Sequence, residues 1–193
     1  MTIKLSIILA FSVLLTGCCW ISGRENTQLF VPKEVSDMVP YSDQQPVIFL
    51  KSGGDTVRVK VSRFQGFQNE SCAECYCSSK ESELQEFTFF SPSDTLLNLR
   101  LSAEDPRLIF FSHFESFILT VNASGTVLCD STSLAPVYCL DSLLVRGVNY
   151  KNVYKLEPLV NSLPGEDVSR IFYQASKGVV RIDYSDGTSL EIL

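Results

Sequence analysis

Three of the chain's seven cysteines fall within six residues, Cys72-Ala73-Glu74-Cys75-Tyr76-Cys77. Thiols at this density can hold a metal, exchange disulfides or cross-link the fold. A tetrahedral zinc site needs a fourth ligand, which Cys129, Cys139 or His113 could supply, but a strong zinc pattern would carry a second Cys-x-x-Cys and none exists. A thioredoxin-like site needs its Cys-x-x-Cys at a helix N-terminus, where the dipole lowers the thiol pKa, and no helix is predicted there. Structural disulfides are the expectation, with buried unpaired thiols as the alternative. The candidates are Cys72, Cys75, Cys77, Cys129 and Cys139, with a bridge inside the cluster or from it to another strand. Cys129 and Cys139 each follow a valine by two residues (Val127, Val137), which predicts that both point into the core. A bridge between them would close a short loop and add about 2–3 kcal/mol.

Other chemistry is poorly supplied. His113, in Phe110-Phe111-Ser112-His113-Phe114, is the only histidine, and no Gly-x-Ser-x-Gly elbow exists to pair with it. A lone histidine among aromatics reads as a strand residue or a satisfied interior group. The acidic run Glu81-Ser82-Glu83-Leu84-Gln85-Glu86 reads as the solvated start of a strand. A glycosidase needs two converging carboxylates, and 22 acidic residues give no means of choosing a pair. Walker, dinucleotide and EF-hand patterns are absent. No catalytic residue, metal ligand or cofactor is assigned, and a non-enzymatic role is expected.

The elements that would position these groups are strands. Val57, Val59 and Val61 alternate with Arg58, Lys60 and Ser62, behind a turn at Ser52-Gly53-Gly54-Asp55. A second hairpin runs from 84–90 through Ser91-Pro92-Ser93-Asp94 to 96–101. Phe117, Leu119 and Val121 continue the alternation. Five strands near 142–145, 149–156, 169–175, 179–184 and 189–192 are separated by Arg146-Gly147, Pro164-Gly165, Lys177-Gly178 and Asp186-Gly187. No stretch shows a helical stripe over three turns. The predicted fold is all-β, an antiparallel meander forming a sandwich, barrel or half-barrel. Most of the phenylalanines, concentrated before residue 120, are assigned to its core, with an apolar-ligand cavity as the alternative.

The N-terminus reads as an export signal: Lys4, then a weakly polar-to-apolar stretch over residues 5–15. A permanent span needs roughly 20 apolar residues, so this segment is too short. It ends in Leu15-Thr16-Gly17-Cys18, which resembles the lipobox of bacterial lipoprotein precursors. The resemblance implies cleavage before Cys18 and three acyl chains on that cysteine, a far firmer hold than one chain gives at about 0.8 kcal/mol per buried CH₂. Cys19, rather than Asp, follows Cys18, so the resemblance implies the outer membrane, with the domain in the periplasm and surface exposure open. Three divisions follow: residues 1–17 as signal peptide, 18–45 as a lipidated tether rich in polar residues and proline, and 46–193 as one β domain. Removing residues 1–17 leaves 176 of 193 residues and, with Lys4 gone, moves the net charge from −6 to −7. That length builds a core unaided, burying about 70% of the unfolded surface. The acidic balance argues against nucleic acid.

A second resemblance lies in the last quarter. Gly147, Tyr150, Asn152, Val153, Tyr154, Leu156, then Ile171-Phe172-Tyr173, Lys177-Gly178 and Asp186-Gly187-Thr188 are similar to the C-terminal part of small uncharacterised envelope lipoproteins common in Bacteroidota. It implies a cell-envelope address and a β-rich fold, and carries no catalytic residues. Four triplets, Asp55-Thr56-Val57, Asp94-Thr95-Leu96, Asp130-Ser131-Thr132 and Asp141-Ser142-Leu143, resemble the O-glycosylation signal of that group's envelope proteins. The expected role is binding or assembly with an envelope partner at the membrane. The alternative is a carrier of lipid or other apolar cargo in a half-barrel.

Overall fold

Residues of alternating polarity can satisfy their backbone and bury one face only by pairing edge to edge, and here the pairing runs almost full circle. The computed structural model describes residues 27–71, 79–92, 95–104, 107–112, 115–122, 124–159 and 168–193. In order they form β1 (Thr27–Leu29), α1 (Lys33–Ser36), β2 (Gln45–Lys51), β3 (Thr56–Ser71), β4 (Ser79–Phe90), β5 (Thr95–Ser102), β6 (Arg107–Ser112), β7 (Glu115–Thr120), β8 (Val137–Val145), β9 (Val148–Leu156), β10 (Val168–Gln174), β11 (Gly178–Tyr184) and β12 (Ser189–Ile192). The sheet order is β7-β6-β5-β4-β3-β2-β12-β11-β10-β9-β8, with β1 added in parallel to β4. Every other pairing is antiparallel. The sheet is a nearly closed barrel. Its seam is bridged by Leu159, whose N–H donates to the Ser116 carbonyl at 2.8 Å.

Alternation of strand direction sorts the connections to two ends. The turns at 52–55, 91–94 and 185–188 lie at one, here the turn end. The opposite end receives the connections at 72–78, 103–106, 146–147 and 175–177. The chain enters there too: Gly125, in the turn after β7, packs against Glu34.

The interior is one continuous apolar cluster. Phe49, Phe87, Phe89, Leu99, Phe110, Phe117, Leu119, Ile171 and Ile182 reach it from strands all round the barrel. Within it sits the chain's own N-terminal segment, with Val31, Val35, Met38, Val39 and Tyr41 all buried. This corrects the expected tether of residues 18–45. Residues 18–26 lie outside the described residues, and 27–45 belong to the domain. The polar residues there misled because the apolar ones (31, 35, 38, 39, 41) follow neither strand nor long-helix spacing. They fill a barrel mouth instead.

Two tyrosines hold this plug. Tyr41 Oη accepts the Val179 N–H at 2.6 Å, and Tyr173 Oη donates to the Met38 carbonyl. Burial pushes both phenols well above their ordinary pKa, and for Tyr173 the nearby Tyr41 and Tyr154 add to it. Gly178 makes room: its φ is +84° and a Cβ there would meet Tyr41 Oη at 1.9 Å.

Candidate functional site

Two hairpins outrun their neighbours, and the candidate site lies on the longer. β3 and β4 stay paired from Lys60↔Phe90 to Ser71↔Ser79. β2 stops at Gln45, opposite Val61, and β5 stops at Ser102, opposite Leu84. Beyond those points the ribbon projects as an arm. Ala103 and Asp43 each add one bond at its base, and β1 is the strand that flanks it, with Thr27↔Lys80 and Leu29↔Ser82 in register, and Gln28 Nε2 donating to Glu81 Oε2 at 2.7 Å. Residues 72–78 join the two strands of the arm and lie outside the described residues. Cys72, Cys75 and Cys77 are therefore chain-connected to the ends of one hairpin. The bridge predicted for them falls outside the described residues, as do Cys18 and His113.

The base of the arm is polar and buried. β4 alternates Glu83, Gln85, Phe87 and Phe89 toward the interior. Glu83 Oε2 accepts the Val31 N–H at 2.9 Å, and Oε1 accepts Gln65 Nε2 at 2.6 Å and Gln85 Nε2 at 2.9 Å. Arg63 donates to the Gln65 and Gln85 carbonyl oxygens at 3.2 and 3.3 Å and lies over the Phe87 ring. This corrects the reading of 81–86 as solvated: Ser82, Glu83 and Gln85 are buried. Acidic composition gave no sign of it, because two of the three donors come from β3 and from Val31, 18 and 52 residues away. With three N–H groups on its oxygens, Glu83 works as a clamp between the plug and the arm.

The arm's remaining faces are aromatic. Phe67 and Phe30 meet edge to face with centroids 5.6 Å apart, yet are 49% and 61% exposed. On the opposite face the Phe64 ring lies over Gly66, where a Cβ would come within 2.8 Å of it, and Phe64 is 58% exposed. A glycine opposite Leu84 provides a flat bed for the ring. Sequence reading assigned most of the phenylalanines to the core, and Phe87, Phe89, Phe110 and Phe117 are there. Phe64 and Phe67 were distinguishable by their neighbours, since Arg63, Gln65, Gln68 and Asn69 leave no apolar alternation around them.

No family model, curated protein or solved structure matches this chain.

Elsewhere, Cys129 and Cys139 are brought together with Cα atoms 5.7 Å apart, a spacing that suits a disulfide. Both are exposed, against the expectation that they follow their valines inward. Val127 and Val137 are buried, but neither cysteine continues a buried strand face. The loop they enclose is tied by Asp130, whose Oδ1 accepts the Thr132 N–H at 2.8 Å and its hydroxyl at 2.7 Å, holding that carboxyl below its ordinary pKa. Thr56, Ser131 and Ser142, from the glycosylation-like triplets, are exposed. A group missed from sequence is Glu115, buried at the turn end with Oε2 unpartnered among the described residues. Among the described residues no three His, Cys, Asp or Glu side chains converge on a metal position, and no helix is long and apolar enough to cross a membrane.

Proposed function

We propose that the chain is a lipid-anchored envelope protein whose β domain binds or assembles with something outside itself, without chemistry of its own. The lipobox-like Leu15-Thr16-Gly17-Cys18 supports the anchor, at the outer membrane and facing the periplasm. The filled barrel carries the rest: side chains from strands all round the barrel, together with residues of the plug, occupy the interior. Cargo inside the barrel would have to displace Tyr41 and Tyr173, which are tied to the backbone. This weighs against the carrier reading and moves the binding surface outward, to the exposed rings of the arm. Several ionic groups are spent on one another, as with Arg100 and Glu86, Lys155 and Glu157, and Arg181 between Asp183 and Glu191. That supports a binding role over a catalytic one.

Mass spectrometry of the natively purified protein tests this reading. The expected N-terminal peptide begins at Cys18 and carries acyl mass. An unmodified Cys18, or a chain retaining residues 1–17, overturns it. A lipid bound in stoichiometric amount after delipidation of the membrane would restore the carrier.

A further inference from the structure

The position of the first described strand, β1, fixes what the arm faces. β1 runs parallel to β4, so Thr27 lies beside Lys80, toward the far end of the arm, and the chain then proceeds toward the barrel. Cys18 is nine residues before Thr27. Nine residues span at most about 30 Å even when fully extended. An anchor at Cys18 therefore holds the outer part of the arm, rather than the turn end, near the bilayer.

The surface found there suits an interface of lipid and water. Phe30 and Phe67 meet edge to face on one side and Phe64 lies on the other, each about half exposed or more. Exposed rings gathered in this way mark a contact surface. Beyond Val61 no strand pairs with the outer edge of β3, and Gln68 and Asn69 there are polar and exposed, while Arg63 and Gln65 are held at the arm's base by Asp43, Gln85 and Glu83. A polar edge with amide groups bonds to headgroups and water, while the rings enter the boundary region, as interfacial aromatics do. Charge does not select this face, because Lys80 is accompanied by Glu81 on the same strand.

We propose that the arm is a second membrane contact: Phe30, Phe67 and Phe64 insert at the headgroup–acyl boundary and fix the orientation of the domain on its anchor. This rests on the reading that Cys18 is acylated. The occupant is a lipid surface; an envelope protein or a second copy of the chain on the same rings are the outcomes that would replace it.

The experiment uses the full acylated protein in vesicles of phosphatidylethanolamine and phosphatidylglycerol, with and without bromine on the acyl chains. Trp20 is the only tryptophan, so Trp20→Phe clears the background. Phe67→Trp is read as the reporter, Phe30→Trp as its duplicate, and Asp55→Trp, in the turn between β2 and β3, as the reference at the other end. The expected result is loss of emission in brominated vesicles for both arm reporters and none for the reference. Unquenched arm reporters, in protein whose mass carries the acyl chains, overturn the second contact and leave the anchor standing. Absence of acyl mass overturns the anchor and this inference with it.

Discussion

The β3–β4 and β8–β9 ribbons both leave the barrel, and they dispose of their surplus faces in opposite ways. In β9, Asn152 adopts φ +54°, a left-handed conformation that asparagine tolerates and that interrupts the extended run. The ribbon packs on the outside of the sheet, where Leu140, Leu143, Tyr150 and Val153 surround Phe172, Val180 and Ile192 in a second small core. Consecutive residues on β10 and β11 are buried on both faces as a result. The β3–β4 ribbon finds no such cover. It is pinned at its base by Glu83 and flanked by a three-residue strand, and its rings remain in solvent. The same antiparallel pairing therefore serves two ends. One ribbon completes the fold. The other keeps apolar rings in solvent, on the surface proposed above to bind.

Substitutions at the two bases separate these roles. Phe172→Ala removes the centre of the outer core and is expected to cost about 3 kcal/mol, the low end for a buried phenylalanine because the cluster is small. Denaturant titration should show that loss, while proteolysis of residues 27–31 stays as slow as in the parent. Glu83→Leu deletes the acceptor for the buried Val31 N–H and for two glutamine amides. About 2 kcal/mol is expected, the range for orphaned buried donors. Here the pattern reverses: cleavage within 27–31 accelerates because β1 and the plug lose their tie. Equal protease sensitivity in both variants would mean that the ribbons are not independent.

How far these features could be read from the chain divides along the same line. Turns at Gly53-Gly54, Pro92, Gly147, Gly178 and Gly187, and the strands between them, were legible because period-two alternation and positive-φ glycines are local signals. β8 began earlier than expected, at Val137 rather than near 142, because Tyr138, Cys139 and Leu140 lack clean alternation. The plug was illegible for a different reason. Residues 31, 35, 38, 39 and 41 are apolar, but what buries them is a barrel mouth whose bonds to the plug reach across 135 and 138 residues. Glu83 was misread on the same ground, since two of its three partners, Val31 and Gln65, are non-local. The barrel was one of three closures the sequence left open, beside sandwich and half-barrel, because the alternation specifies an inner face and says nothing of the seam.

The plug ties the arm's base to the far wall of the barrel, and pH can loosen it. Tyr41 and Tyr173 are pushed up by burial, so the folded state favours the neutral phenols. Their contribution is complete below the ordinary tyrosine value of about 10 and is lost as pH rises through the elevated folded values. Absorbance of tyrosinate against pH should show two phenols ionising only with unfolding. Tyr41→Phe leaves the Val179 N–H without its acceptor and is expected to cost about 1–2 kcal/mol. It also removes one of the two late phenols. A smooth titration of every tyrosine near 10 in folded protein would contradict the plug.

The smallest expected effect discriminates most sharply between the ribbons. Phe67→Ser removes a ring that is half in solvent and touches Phe30 at its edge. A substitution at such a surface position changes stability by no more than about 0.5 kcal/mol. Val153→Ala, its counterpart in the other ribbon, removes two methyl groups from a side chain with no exposure and is expected to cost about 1–2 kcal/mol at about 0.8 per buried methylene, before any cavity is counted. Thermal melts of the two variants, side by side, measure that difference. If Phe67→Ser destabilises as much as Val153→Ala, the arm's rings are packing and their exposure has no further meaning. If it leaves stability unchanged, the fold gains nothing measurable from Phe67, and what that ring contributes lies in whatever the arm touches.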